Sequence, residues 1–172
     1  MKIMSKSTLS AVLPDVLDVN LSVVFCGTAA GKKSAERKAY YAHPTNRFWR
    51  TLAATGLTPS LLLPDEFREV PRFGIGLTDL CKSESGCDHT LSRNAFKKNK
   101  IEEIIRKYAP KIIAFTSKKA ASEYLHHEVE YGLLPMSASG TMFFVLPSPS
   151  GSARKYWNES HWHQLAELVK GK

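Results

Sequence analysis

Four short apolar runs alternate along the chain with segments of helical periodicity, and this alternation leaves few folds open. The runs are LSVVFCG at 21–27, RFGIGLTDL at 72–80, KIIAFTS at 111–117 and TMFFVLPS at 141–148. Compact apolar runs rich in β-branched residues are typical of strands buried on both faces of a parallel sheet. The predicted fold class is α/β: a single three-layer domain, residues 1–172, with a central, mostly parallel four-stranded sheet and helices on both faces.

The segments between the runs predict the helical layers. Helices are expected over 46–56, 60–70, 94–110, 118–129 and roughly Glu159 to Val169. The clearest is 94–110, where one apolar stripe is formed by Phe96, Ile101, Ile104, Ile105 and Tyr108. Residues 1–20, interrupted by Pro14, predict an N-terminal arm or short helix, and the segment after Gly27 predicts a loop with one helical turn.

Composition excludes several classes of protein. A chain of 172 residues with 43% hydrophobic residues suits one globular domain and argues against disorder. No apolar run approaches the ~20 residues that a membrane span requires, and no secretion signal is recognisable, so we expect a cytoplasmic protein with no membrane partner. Three cysteines are too few for a disulfide scaffold or a four-thiolate cluster.

The charge balance points to a polyanionic partner. Lys and Arg number 24 against 16 Asp and Glu, a formal net charge of +8. Such an excess suits nucleic acid, a phosphate-rich ligand or an acidic membrane surface. A basic surface that serves only solubility remains an equal alternative.

The loops after the predicted strands one, two and four have unusual sequences. Ligands of parallel sheets bind beyond the carboxyl ends of the strands. Loop one begins with the small residues of Gly27–Gly31 and continues through two lysines to YYAHPTN, whereas loop four reads PSPSGSAR at 147–154. Small residues let a ligand approach the backbone closely, although a tight turn in loop one and a rigid surface connection in loop four remain open. Neither loop matches a phosphate-binding fingerprint.

These motifs together resemble a known family. VFCGTAAG, AHPTNRFW and VLPSPSGSAR, with GIGLTDL between them, resemble the uracil-DNA glycosylase superfamily, most closely its mismatch-specific uracil and thymine DNA glycosylase branch. The resemblance runs from about Val23 to the C-terminus. It implies a monofunctional DNA repair enzyme that flips a damaged base out of the duplex and hydrolyses its N-glycosidic bond. It also implies a double-stranded DNA partner with a damaged or mismatched base, no metal or organic cofactor, and a monomer, nucleoid-associated if the source is bacterial.

The resemblance assigns two sets of residues. Tyr41 would stack on the flipped base, and the pocket residues around it are Thr28, Ala29, Ala30, Gly31, Ser34 and His43. Loop four would enter the duplex and fill the space that the base leaves, with Arg154 in the gap. The DNA-contacting residues are therefore Lys32, Lys33, Ser148, Pro149, Ser150, Gly151, Ser152 and Arg154.

One position departs from the branch. Ala29 stands where the branch has an asparagine that holds the attacking water, and an alanine side chain cannot orient water. Three explanations are open. Another side chain orients the water, the enzyme relies mainly on stabilising the departing base, or the domain is inactive. We favour the first alternative, with Asn46 and Asp79 as catalytic candidates. The alternative role of Asn46 is a helix cap, and that of Asp79 is a capping or solvated acid.

Water rather than a lysine is the expected nucleophile, and uracil the first expected substrate, followed by hypoxanthine or a mismatched pyrimidine. A hypoxanthine-preferring glycosylase and a damage-binding module without strong catalysis are the competing functions.

Overall fold

A mostly parallel sheet organises the chain. The computed structural model describes residues 11–86, 91, 96, 99–137 and 139–171. Within these ranges, five strands form one sheet in the order β2-β1-β3-β5-β4. The strands are β1 (Val23–Gly27), β2 (Ile75–Asp79), β3 (Ile112–Phe115), β4 (Gly132–Leu133) and β5 (Met142–Val145). Only the β4–β5 pair among them is antiparallel.

Helices connect the strands and cover both faces of the sheet. They are α1 (Lys32–Arg37), α2 (Phe48–Ala54), α3 (Lys100–Tyr108), α4 (Lys118–Leu125) and α5 (Ser160–Lys170). The described residues also include 3₁₀ helices over Pro64–Phe73 and Gly151–Tyr156.

Alternation along the strands divides the core in two. Phe25 packs edge-on against Phe48 of α2 and stacks on Trp162 of α5. The next residue, Cys26, points to the other face, where it joins a cluster with Ile101 of α3 and apolar residues of α4. Successive side chains of a strand point to opposite faces, so the predicted three-layer α/β architecture is confirmed.

Several details differ from the sequence-based expectations. The sheet has a fifth strand, β4, whose two partly exposed residues are too few to produce a pattern. The helix predicted from residue 94 begins at Lys100, and Phe96 instead forms an antiparallel bridge with Cys81, so its place in the helical stripe was wrong. Residues 94, 95, 97 and 98 lie outside the described residues. Loop four ends in a 3₁₀ helix rather than an irregular loop.

The described part of the N-terminal segment, from residue 11, is an arm and not a helix. Val16 forms an antiparallel bridge with Leu77 of β2, with both backbone hydrogen bonds at 2.9 Å. The arm therefore lies along the outer edge of β2. Residues 1–10 lie outside the described residues.

The strand order fixes where a ligand can bind. The chain runs from β1 to β2 on one side and then crosses to β3 on the other side of β1. The crevice beyond the carboxyl ends of strands at such a reversal is the usual ligand site of open α/β sheets. No helix within the described ranges has the length and apolar character needed to cross a bilayer.

Candidate active site

A cavity of about 1030 Å³ opens at the carboxyl ends of β1 and β3. Its wall includes most of the residues that the sequence predicted for the site. These are Thr28, Ala29, Ala30, Gly31, Lys32, Lys33, Ser34, Tyr41, His43, Asn46, Asp79, Ser148, Pro149, Ser150 and Ser152. Loops one and four, more than a hundred residues apart in sequence, thus meet at one concave site.

Loop one is held in place by the loop that follows β2. The backbone amides of Leu80, Cys81 and Gly86 donate to the carbonyl oxygens of Gly27, Thr28 and Ala30, respectively, over 2.7–2.9 Å. The parallel pairing of β1 and β2 thus continues past the ends of the strands. Ala29 lies in the cavity wall between these hydrogen-bonded residues, and its side chain is a methyl group with no polar atom.

Asp79 is the buried acid of the cavity. It is 4% exposed, at the last residue of β2. Burial raises the pKa of its carboxyl to about 6, against the opposing effect of Lys82, whose Nζ lies 4.0 Å from Asp79 Oδ2. The alternative interpretation as a solvated acid is therefore wrong, whereas its catalytic role remains a prediction.

Behind Asp79 lies an ion network that the sequence did not reveal. Lys82 Nζ lies 2.9 Å from Asp15 Oδ1 and donates to the Tyr40 hydroxyl, also at 2.9 Å. Asp15 in turn accepts hydrogen bonds from Thr78 Oγ1 at 2.7 Å and from Lys100 Nζ. Burial raises the pKa of Asp15, but the two lysines outweigh that effect and the net pKa is lowered.

Tyr41 forms an aromatic wall of the cavity. Its ring stacks on Phe48 with centroids 3.9 Å apart and planes 20° apart. Its backbone adopts φ +51°, a left-handed conformation that is uncommon for a large side chain. The hydroxyl is buried beside Thr116 without a hydrogen bond of good geometry, and burial raises its pKa.

The AHPTN segment forms a self-supported turn. His43 Nδ1 accepts a hydrogen bond from the Thr45 amide at 3.2 Å, and the Asn46 amide donates to the His43 carbonyl at 2.9 Å. Asn46 Oδ1 accepts from the Phe48 amide at the start of α2. That is the contact expected of a helix cap, and it leaves the Asn46 side-chain NH₂ as the group for a ligand.

Ser34 serves the architecture of loop one. Its Oγ accepts a hydrogen bond from the Ala42 amide at 3.0 Å, and the residue is 6% exposed. Although Ser34 lines the cavity, this contact anchors the chain beside Tyr41, so Ser34 supports the aromatic wall.

Loop four is packed directly against loop one. The Arg47 amide donates to the Pro149 carbonyl at 2.9 Å. A Cβ on Gly151 would lie 2.1 Å from Thr45 Oγ1, so a larger residue there would displace the Thr45 side chain. Arg154 is exposed on the adjoining 3₁₀ helix, and the described cavity wall includes neither it nor Gly151.

The loop after β3 contributes residues that sequence reasoning missed. Thr116, Ser117, Lys118 and Lys119 line the cavity. Ser117 also caps α4 by accepting a hydrogen bond from the Ala120 amide. Because all carboxyl ends of parallel strands share one edge, the same rule that singled out loops one and four applied to this loop as well.

Metal-binding clusters are lacking from the described ranges, in which no three His, Cys, Asp or Glu side chains are arranged to hold an ion. The chemistry of the cavity thus lies in one buried carboxylate, an aromatic wall, amide and hydroxyl groups, and lysines at the rim. This combination suits a planar ligand attached to a polyanion.

Comparison with known proteins decides the family. The model of the uracil DNA glycosylase superfamily matches residues 14–168. The chain belongs to the uracil-DNA glycosylase superfamily. The match includes both loops that line the cavity, as well as Asp79 and the ion network behind it.

A solved structure shares the fold of this superfamily member. It is the solution NMR structure of a provisionally assigned uracil DNA glycosylase from Methanosarcina acetivorans, with a TM-score of 0.65 and 24% identity. The alignment covers 92% of this chain and 96% of the other. At this identity the likeness establishes the α/β fold, to which the five-stranded sheet conforms.

Proposed function

We propose that this uracil-DNA glycosylase superfamily member is a monofunctional DNA glycosylase of the mismatch-specific type. It flips a deaminated base out of double-stranded DNA, uracil first and hypoxanthine or a mismatched pyrimidine next, and hydrolyses its N-glycosidic bond. The observation that carries the proposal is the placement of the buried Asp79 carboxylate and the Tyr41 ring in the wall of one cavity.

The aromatic wall supplies affinity for the flipped base. Phe48 covers one face of Tyr41, and Tyr41 lines the cavity, so its opposite face is the surface on which a base stacks. Stacking of this kind contributes about 1–3 kcal/mol per base in nucleic-acid complexes. Enclosure between this ring and the backbone of loop one offsets part of the cost of unstacking the base.

Asp79 supplies the charge that bond cleavage requires. When the C1′–N bond breaks, its electron pair leaves with the base and positive charge develops on the sugar. A carboxylate stabilises that charge, and it accepts a proton from the water whose oxygen bonds to C1′. With a pKa of about 6, Asp79 is ionised at neutral pH. The Asn46 NH₂ group and the loop-one amides would stabilise the negative charge on the departing base.

Because Ala29 cannot orient the attacking water, another group must do so. The Ala29 methyl group lines the cavity without a polar atom to orient water. Asp79 lies one strand away as the register partner of Gly27, and its Oδ1 is 2.6 Å from the position that a Cβ on Gly27 would take. Asp79 thus takes the place of a loop-one side chain in handling the water.

The basic surface provides the DNA-binding component. Lys32 and Lys33 of α1 and Lys118 and Lys119 of α4 all line the cavity. Ion pairs with Glu36 and Glu130 occupy Lys33 and Lys118, but exposed pairs are weak and easily exchanged for phosphates. The segment from Ser148 to Arg154, which is held against loop one by the hydrogen bond between Pro149 and Arg47, would fill the gap in the duplex. A monomer suffices for this mode of binding.

Ala29 also favours a second candidate, a damage-binding module that grips lesions without cleaving them. A substrate survey separates the two functions. The protein is incubated with duplexes carrying a single uracil, hypoxanthine, xanthine or thymine opposite each base, and strand breaks at abasic sites are quantified after alkali. Release of uracil, with other deaminated bases more slowly, supports the glycosylase, whereas tight lesion binding without release supports the binding module.

A further inference from the structure

Lys82 is a buried cation that the proposed chemistry leaves without a role. Its side chain is 9% exposed, and it is absent from the described wall of the cavity. A buried ammonium is retained at considerable cost unless it is paired and hydrogen-bonded. Here the pairing partners are Asp15 at 2.9 Å and Asp79 at 4.0 Å, and the Tyr40 hydroxyl accepts a third contact.

The N-terminal segment Val12–Val16 is held on both sides of Asp15. The Val12 amide donates to the Lys82 carbonyl at 2.8 Å, and the Tyr40 hydroxyl donates to the Pro14 carbonyl at 2.9 Å. Val16 is bridged to β2 at Leu77. These contacts fix the backbone around Asp15, and hydrogen bonds from Thr78 and Lys100 hold its carboxylate, so Lys82 pairs with a positioned anion.

The charges that face Asp79 come from several elements. The cations are Lys82 and Lys100, and the neighbouring anion is Asp15. Cys26, Tyr40 and Tyr41 also surround the carboxylate, but burial raises the pKa of each, so they stay neutral near pH 7. Lys82 is the cation whose contact with Asp79 is direct, and its removal would leave the buried carboxylate with the more distant Lys100 and with the anion Asp15.

We propose that Lys82, clamped by Asp15, is a positioning residue that keeps the Asp79 carboxylate charged and fixed at the cavity. The proposal rests on the proposed function for its catalytic meaning, because Asp79 is there the group that handles water. It makes the N-terminal segment a working part of the site, although that segment does not itself touch the base.

Two substitutions with opposite expected effects test the proposal. Lys82→Met keeps most of the side-chain volume and removes the cation, whereas Asp15→Asn keeps the shape and removes the anion. We expect Lys82→Met to raise the pKa of Asp79 by at least about one pH unit, because an opposite charge within ~4–6 Å shifts a carboxyl by about 1–3 units. Asp15→Asn should lower that pKa, since Lys82 then has Asp79 as its remaining anionic partner.

The readouts are an NMR titration of the Asp79 side-chain carboxyl carbon and the pH profile of single-turnover base release. A shift of about one unit makes Lys82→Met at least about fivefold slower at pH 6 and nearly unchanged at pH 9. Lys107→Met, which removes an exposed lysine of α3, is the matched control and should move neither readout. Lys82→Arg should restore part of the acidic-side rate.

The proposal is supported if the Asp79 pKa rises in Lys82→Met and falls in Asp15→Asn. The acidic limb of the pH–rate profile should shift in the same direction as the pKa in each variant. An unmoved pKa in a folded Lys82→Met protein overturns it, as does a uniform loss of rate at all pH values. If Lys82→Met does not fold, Asp15→Asn decides alone: an unchanged or raised pKa overturns the proposal. A wild-type protein that releases no base refutes the proposed function, and the NMR titration still decides the pairing.

Discussion

The Asp79 carboxylate occupies the space beside Gly27, where a Cβ would come within 2.6 Å of Oδ1. The two residues are register partners across β1 and β2. Gly27 does not have a positive φ, so glycine is required here for space and not for backbone conformation. The turn glycine of loop one and the buried acid of β2 thus form one unit.

Gly27→Ala should displace the Asp79 carboxylate and slow base release, because contacts under 3.0 Å force one partner to move. A displacement of this order at a positioned catalytic group costs on the order of a hundredfold in rate. Single-turnover kinetics on a uracil-containing duplex measures the effect. In an Asp79→Ala background the clash is absent, so adding Gly27→Ala should lower the rate of base release little further. If the two losses of rate were additive instead, the effect of Gly27→Ala would not act through Asp79.

Tyr41→Ala should abolish most lesion-dependent turnover while leaving affinity for undamaged duplex nearly intact. The change removes the stacking surface, worth about 1–3 kcal/mol, but no phosphate contact. Tyr41→Phe is the control and should retain turnover, since the hydroxyl makes no well-formed hydrogen bond. Wild-type rates for Tyr41→Ala would rule out this ring as the base platform.

Asp79→Asn should stabilise the protein at neutral pH. The folded-state pKa of about 6 exceeds the ordinary aspartate pKa of about 3.9, so the folded state holds this proton more tightly than the unfolded chain does. Folding stability therefore falls as pH rises from about 4 through 6, and the neutral Asn avoids a penalty of about 1–3 kcal/mol. Urea unfolding at pH 7.5 and at pH 4 measures this difference in the free energy of unfolding. The variant should be much more stable than the wild type at pH 7.5 and only slightly more stable at pH 4. An equal gain at both would contradict the assignment.

The layered architecture could be predicted from the sequence because buried strands and amphipathic helices produce local hydrophobic patterns. Phe25 and Cys26 are adjacent and both fully buried, as expected for a strand covered on two faces. The sequence did not predict β4, because a strand of two residues is too short to show a periodic pattern. The motifs AHPTNRFW and GIGLTDL are local in sequence, so the family resemblance and the end of strand two placed Tyr41 and Asp79 at one site.

The ion network behind Asp79 was beyond the reach of sequence reasoning. Asp15 and Thr78 are 63 residues apart, and their contact depends on the arm lying along β2. A lysine in a polar loop, such as Lys82, is most often solvated, so nothing local marked it as buried. Thr116 and Ser117 were within reach, because the end of a third parallel strand shares the edge where the site was expected.

DNA binding should weaken steeply with salt and show little sequence preference, because lysine–phosphate contacts release counterions. Lys32→Ala should reduce the slope of log affinity against log salt by about one, if it contacts one phosphate. Lys107→Ala on α3 serves as the control of equal charge. Fluorescence anisotropy titrations at several salt concentrations supply the slopes, and a salt-independent affinity would refute the electrostatic interface.

Single-turnover release of uracil from duplex DNA by the wild type, Asp79→Asn and Asn46→Ala is the most direct measurement. The wild type should release the base, and Asp79→Asn should be slower by about a hundredfold or more at unchanged lesion affinity, since one positioned polar group is lost. Asn46→Ala should also be slower, through the lost amide donor. Full rates in both variants, or a wild type that binds the lesion and releases nothing, would contradict a glycosylase centred on Asp79.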